Sequence, residues 1–338
     1  MNILVTGGAG YVGSFAVRHL VASGHDVVVL DNLCQGHRGA VDERLLVVGD
    51  IADTQLVARL LDENRIEAVM HFAAATNVAE SVENPRYHYR NNTANTLGLL
   101  ETMIDHDVRK FVFSSTAATY GSGDAASDEK QPLDEESAKN PVCPYGYSKL
   151  AIEWMIQDFS HAYGLSYAIL RYFNASGASP DGDHGEDHRP ETHLIPLIIE
   201  AVQGRRERVE LFGDDYETRD GTCLRDYVHV EDLAQAHRLA LEACPEPGEN
   251  AGGLIMNVGT GSGNTVMEVV RAVERVTGRQ VPFRVADRRP GDPARLVASA
   301  ERLRAIGWEP RFGDIEQVVK TAWDWHSSHP DGYDEPDD

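Results

Sequence analysis

Tyr145 and Lys149 stand four residues apart in the run Tyr145-Gly146-Tyr147-Ser148-Lys149. That spacing places two side chains on one face of a helix. An ammonium held beside a phenol favours the phenolate, because a nearby positive charge stabilises the deprotonated form. A free tyrosine titrates near ~10, so bringing it to ~7 for acid–base work needs about 4 kcal/mol of local electrostatics. Alone, the spacing fits an ordinary amphipathic helix equally well, with both residues on its wet face. The elements around the pair decide. Pro144 suits a first helical turn, and Leu150, Trp154, Met155 and Phe159 continue at helical spacing.

The N-terminal segment supplies the context. Ile3-Leu-Val reads as a buried strand, Gly7-Gly8-Ala9-Gly10-Tyr11-Val12-Gly13 follows at once, and Ser14 to Ser23 is helical, ended by Gly24. Strand, glycine turn and helix together form a dinucleotide site: glycines let the backbone approach a pyrophosphate, whose charge sits at the helix N-terminus. The pattern satisfies both Gly-x-x-Gly-x-x-Gly (7, 10, 13) and Gly-x-Gly-x-x-Gly (8, 10, 13), so spacing does not name a subfamily. The strand Asp26–Leu30 ends in Asp31, where a carboxylate would accept from both adenine-ribose hydroxyls and repel a 2′-phosphate, favouring NAD over NADP. Arg38 nearby keeps NADP open.

Further strands are expected at 45–48, 68–72, 111–113 and 167–170, and helices at 54–63, 87–105 and 145–162. This alternation calls for an α/β fold, a Rossmann-type doubly wound parallel sheet covered on both faces. A smaller C-terminal α/β substrate domain follows. The expected division is 1–173 for the NAD-binding domain with 230–258 returning to it, 174–229 and 259–330 for the substrate domain, and an acidic tail at 331–338.

The chain has 338 residues, 42% hydrophobic and 25% charged, with a net charge of −23. Such acidity argues against nucleic acid, which needs a basic footprint. No uninterrupted apolar run has membrane-spanning length, and no secretory signal precedes the first strand. Cys34, Cys143, Cys223 and Cys244 show no Cys-x-x-Cys spacing, so no disulfide framework and no metal site is expected. A reducing cytoplasm is the natural setting.

These landmarks in this order resemble the extended short-chain dehydrogenase/reductase superfamily and, within it, the UDP-glucose/UDP-galactose 4-epimerase family. The resemblance rests on His71-Phe-Ala-Ala74, Ser114 to Gly121, Tyr145 to Lys149, Arg171-Tyr-Phe-Asn174, Glu191 to Pro196, Leu211 to His229 and Arg289-Pro-Gly-Asp292. It runs from Met1 to about Pro330, with Phe212–His229 its most specific stretch. It implies Tyr145 as acid–base residue, Lys149 on the nicotinamide ribose, and Thr116 relaying a hydrogen bond between the sugar and Tyr145. Gly7, Gly10, Tyr11, Val12, Gly13, Asp31, Asn32, Asp50, Ile51, Phe72, Ala73, Asn91 and Tyr172 would line NAD. Asn174, His193, Leu194, Phe212, Arg225, Arg289 and Asp292 would hold the UDP part. Better-known members carry Asn where His193 stands and Lys where Thr76 stands. The resemblance also implies a homodimer built from the helices near 87–105 and 145–162.

The residues select among the superfamily's reactions. Relatives that eliminate water place acidic residues directly after the catalytic Ser/Thr; here those positions are Ala117 and Ala118. The Glu that decarboxylating relatives carry nearby is absent as well. Reversible oxidation at carbon 4 of a UDP-sugar remains, with UDP-glucose and UDP-galactose expected. UDP-N-acetylhexosamine, UDP-arabinose/xylose, UDP-glucuronate, or a non-catalytic NAD-binding role are the alternatives. The resemblance also implies that a position shortly after Arg289–Asp292 admits or excludes an N-acetyl group; counting from Asp292, it falls on Leu296, intermediate in size.

Overall fold

The computed structural model describes residues 1–121, 132–249, 251–289 and 292–333. The expected acidic tail therefore lies outside the described residues from position 334 on, as do Pro290 and Gly291.

In chain order the first half comprises β1 (Asn2–Thr6), α1 (Tyr11–Ala22), β2 (Asp26–Asp31), β3 (Leu46–Val48), α2 (Thr54–Glu63), β4 (Ala68–His71), α3 (Val78–Glu83), α4 (Pro85–His88), α5 (Asn95–Asp105), β5 (Lys110–Thr116), α6 (Pro144–Tyr163) and β6 (Ser166–Tyr172). The second half adds β7 (Asn174–Ser176), α7 (Leu194–Val202), β8 (Val209–Phe212), β9 (Leu224–Arg225), β10 (Tyr227–His229) and α8 (Val230–Ala243). It ends with β11 (Gly253–Val258), β12 (Asn264–Thr265), α9 (Val266–Thr277), β13 (Phe283–Ala286), β14 (Arg295–Leu296), α10 (Glu301–Ala305) and α11 (Ile315–Ser328).

Seven strands form one parallel sheet in the order β11-β6-β5-β4-β1-β2-β3. The order reverses between β1 and β4, and ligands of such sheets bind in the crevice beyond the strand ends at that reversal. Both faces are covered. Ile3, Val5, Leu20, Leu233, Ala240 and Trp308 pack on one side; Leu4, Leu99, Phe111, Phe113, Ile152 and Ile156 pack on the other. Because alternate strand residues point to opposite faces, Leu4 and Ile3 enter different cores and the central strands read as unbroken apolar runs. β11 reaches the sheet edge after a long excursion and pairs with β6 from Gly253–Tyr167 to Val258–Tyr172.

The second half builds a smaller apolar layer from Ile195, Ile198, Leu211, Val269, Val273 and Val319, which brings α7, α9 and α11 against β8. Its strands are short and split among a β12-β9-β14 sheet and two two-stranded pairs. One expectation is corrected: 87–105 is not one regular helix. A π-helical segment, Tyr89–Ala94, joins α4 to α5. Asn92 within it clamps the Ala75 backbone, accepting from its N–H at 2.8 Å and donating to its carbonyl at 2.9 Å. The widened turn serves that clamp, and such turns cluster at functional sites. Among the described residues no helix is long and apolar enough to cross a membrane.

Candidate active site

Tyr145 and Thr116 approach from different elements. Thr116 ends β5, and its hydroxyl accepts from the Ala118 N–H at 3.2 Å, which turns the chain away from the sheet. Tyr145 occupies the first turn of α6, behind Pro144 at the position where proline lacks only a hydrogen bond that would be unsatisfied anyway. The Thr116 hydroxyl lies near enough to the Tyr145 phenol to pull its pKa down. Lys149 lies one turn further on, 2% exposed; its ammonium donates to the Ser114 carbonyl at 2.9 Å and stands over the Phe113 ring. Tyr172, the last residue of β6, accepts from the Ser114 hydroxyl at 3.0 Å. Adjacent strand ends and one helical turn thus converge, as the sequence spacing requires.

Burial dominates the electrostatics of the pair. Burial, followed by the nearby Tyr172, raises the Tyr145 phenol above its ordinary value, and the contribution that lowers it comes from the Thr116 hydrogen bond. Lys149 is itself pushed down to about 7 by burial, opposed by the Glu153 carboxylate. In this arrangement the Lys149 ammonium is turned toward the Ser114 carbonyl. Sequence reasoning missed Glu153, which lies four residues after Lys149. It is fully buried, accepts from the Ser115 hydroxyl at 2.5 Å, and forms an ion pair with Arg171 at 2.6 Å. Removing one partner of such a pair strands a charge, at a cost of about 3–5 kcal/mol. The signal was available as a carboxylate continuing the Tyr145–Lys149 face at helical spacing.

At the sheet's reversal point the glycines do separate jobs. Gly7 has φ +72°, and a Cβ there would lie 2.4 Å from the Ala73 backbone nitrogen. One at Gly13 would lie 2.1 Å from the Gly7 carbonyl, whereas at Gly10 it would meet nothing closer than 3.5 Å. Gly7 and Gly13 lock the turn against β4 and α1; Gly10 caps α1 with no side chain over its first N–H groups. A bare, glycine-faced helix start suits a pyrophosphate, so these residues fit a dinucleotide. Val12 packs partly buried on the sheet, and Tyr11 donates its hydroxyl to the Gly177 carbonyl at 2.6 Å, tying the turn to the second half.

Asp31 ends β2 almost buried, its two oxygens accepting from the Ala9 N–H at 2.9 Å and the Leu33 N–H at 2.8 Å. Burial raises its pKa, against the pull of those hydrogen bonds. Asn32 donates to Asp50 at 2.7 Å, and Ile51 is buried beside them. Phe72 and Ala73 follow β4, with Phe72 packed on His237 at 4.8 Å between ring centres. Asn91 sits in the π segment and donates to Asn92.

The expected UDP residues lie in the second half. Asn174 opens β7, and its backbone N–H donates to the Asp226 carbonyl. Leu194 begins α7, and His193 is its N-cap. Arg289 stacks over the Phe212 ring at 3.8 Å. Arg225 donates to Asp292 at 2.7 Å, and the sequence-adjacent Asp226 does a different job. Fully buried, Asp226 accepts from the N–H groups of Thr260, Gly261 and Ala298 and pins three segments together. Leu296 pairs in register with Arg225 and packs with Ala117, Tyr120 and Phe173. That places the position expected to gauge the sugar's 2-substituent in one apolar cluster with Ala117, the residue following Thr116. Thr76 is exposed.

One further grouping was not anticipated. Glu186, His188, Glu191 and His193 bring their ligand-type atoms within 4.8 Å of one another. The cysteine spacing on which no metal site was expected says nothing about such a set; the run Glu-x-His-x-x-Glu-x-His was the available signal.

Comparison with known proteins supplies the family. A model of the NAD dependent epimerase/dehydratase family matches residues 3–259. The chain is 49% identical to the UDP-glucose 4-epimerase of Halalkalibacterium halodurans over 334 residues, 98% of each chain. A solved UDP-glucose 4-epimerase superposes with a TM-score of 0.93 at 48% identity, covering 99% of this chain and 100% of the other. The enzyme from Bifidobacterium longum, solved with NAD+ and UDP, superposes with a TM-score of 0.91 at 34% identity, covering 98% and 100%. The chain belongs to the NAD dependent epimerase/dehydratase family, among relatives that are UDP-glucose 4-epimerases.

Proposed function

We propose that this protein is an NAD-dependent isomerase that interconverts UDP-glucose and UDP-galactose through a transient 4-keto sugar. The observation that carries the reading is the convergence of Tyr145, Thr116 and Lys149 at the end of β5, two strands along the sheet from the strand that leads into the dinucleotide turn, with Ala117 and Ala118 where an eliminating enzyme needs acids. NAD, when bound, supplies a hydride acceptor that is regenerated within each turnover.

Tyr145 takes the proton of the sugar's 4-hydroxyl and later returns it, with Thr116 holding the hydroxyl in line. General acid–base help of this kind contributes roughly 10²–10⁴-fold. Lys149 offers its ammonium to the nicotinamide ribose. Gly7, Gly10, Tyr11, Val12, Gly13, Asp31, Asn32, Asp50, Ile51, Phe72, Ala73, Asn91 and Tyr172 form the cofactor crevice. Residues 1–173 with 230–258 hold the cofactor, and 174–229 with 259–330 hold the UDP-sugar. Arg225 and Arg289 present guanidinium forks to the diphosphate, alongside Asn174, His193, Leu194, Phe212 and Asp292. Reversal of configuration needs a firmly held UDP and a sugar free to turn, and the arginines lie on the UDP side. Asp31, by its carboxylate, selects NAD over its phosphorylated form.

Leu296 supports a second substrate class: a side chain smaller than an aromatic beside Ala117 leaves room for a 2-acetamido group. An epimerisation assay over UDP-hexoses, UDP-N-acetylhexosamines and UDP-pentoses tests both readings. We also read the protein as a cytoplasmic homodimer. Its four cysteines are free, and α6 exposes Trp154 and Tyr147 while α5 exposes Leu97. Sedimentation of wild type and Trp154→Glu checks this, with a monomer expected for the variant.

A further inference from the structure

The segment from Gly177 to His193 links β7 to α7 without regular secondary structure. Glu186 lies at its centre, its side chain 3% exposed, with its backbone carbonyl accepting from the Trp325 indole at 3.0 Å. Two imidazoles face the same carboxylate oxygen: His193 Nδ1 at 2.5 Å and His188 Nδ1 at 3.0 Å. Glu191 closes the other side, 3.4 Å from His193 Nδ1 and 3.9 Å from His188 Nδ1. Its carboxylate is held in turn by the N–H groups of Thr192 and His193 at 2.6 and 2.7 Å.

We propose that Glu186, His188, Glu191 and His193 form a closed, tetrahedral site for a divalent transition-metal ion, with Zn2+ the best match. A zinc ion bound at about 2.0–2.2 Å to nitrogen and oxygen keeps its ligand atoms about 3.4 Å apart; the four separations bracket that figure. Two carboxylates balance the ion's charge and two neutral imidazoles complete the set, a mixture suited to zinc-like ions rather than to magnesium or calcium. The backbone donors on Glu191 supply the outer support that orients a metal-binding carboxylate. Four protein ligands leave no open position, so the ion's role is to staple this loop. Because His193 caps α7, the staple sets where that helix begins. It also engages His193 through Nδ1, leaving only Nε2 for the UDP-sugar.

The test uses the full-length protein carrying its bound cofactor. After dialysis against metal-free buffer, elemental analysis is expected to find about one equivalent of a zinc-class metal per chain. Stripping with a strong chelator should lower the thermal midpoint, and Zn2+ alone should restore it. His188→Ala and Glu191→Gln are expected to weaken Zn2+ binding at least 100-fold against a competing zinc indicator, in protein whose circular dichroism is unchanged. Co2+ substitution should give the intense visible bands of tetrahedral cobalt, a readout that does not depend on any variant folding. Wild-type protein that retains no metal, binds Zn2+ no tighter than His188→Ala and is unaffected by chelator would overturn the site. The cluster would then be a set of hydrogen-bonded ion pairs.

Discussion

The two halves of the active cleft are held by different means. On the nucleotide side, strand ends and glycines fix the geometry: Gly7 and Gly13 have no room for a Cβ, and Thr116 and Tyr172 occupy adjacent ends of β5 and β6, paired in register. On the side proposed to hold the sugar nucleotide, β9 and β14 are two residues long, Arg225 bonds Asp292, and Arg289 stacks on Phe212 through side chains. Backbone-defined sites tolerate little substitution and need no ligand to stay formed. Side-chain sites set on loops can vary their specificity while the chemistry stays put. The contrast suits a reaction that must fix the tyrosine and the nicotinamide while a sugar turns over.

The largest effect should come from the rigid half. Tyr145→Phe is expected to lower turnover at least 100-fold while leaving UDP binding, measured by calorimetry, within a few-fold of wild type. Near-normal turnover would remove acid–base catalysis from this residue. Gly7→Ala should purify with little bound NAD, because its Cβ cannot coexist with the Ala73 backbone; absorbance and cofactor analysis after denaturation check this. In the adaptable half, Arg225→Met is expected to raise KM about tenfold with a smaller change in kcat. A mutation there that abolished turnover at saturating substrate would erase the distinction between the halves.

Acid should act on both. Burial lowers His71 to about 3 and His229 and His237 to about 4. As pH falls below the ordinary value near ~6.5, the unfolded chain binds protons that the folded one refuses, so stability is present above that pH and lost as it falls through about 4. Urea midpoints should be level near neutrality and drop steeply between those limits. The smallest effect concerns specificity: Leu296→Tyr is expected to reduce N-acetylated substrates several-fold and leave UDP-glucose nearly unchanged, read as a ratio of kcat/KM values.

This difference between the halves also governs what the sequence discloses. The glycine turn, Asp31 and the apolar strands are local patterns whose geometry is dictated by neighbours in the chain, so the fold and the use of NAD were legible from them. Arg225 was identifiable only through its whole motif, and its neighbour Asp226 proved to be a buried anchor for residues 260, 261 and 298, a role that no local spacing encodes. The Tyr145–Lys149 face was visible. The electrostatics were not, because burial and the direction of the Lys149 ammonium depend on β5 and β6. The π segment likewise follows from a clamp between Asn92 and Ala75, seventeen residues apart.

The most direct measurement is epimerisation of a UDP-sugar panel by purified protein without added NAD. The account predicts interconversion of UDP-glucose and UDP-galactose, sustained by cofactor that the protein already carries. Protein that retains NAD yet interconverts no UDP-hexose, N-acetylated sugar or pentose would contradict it.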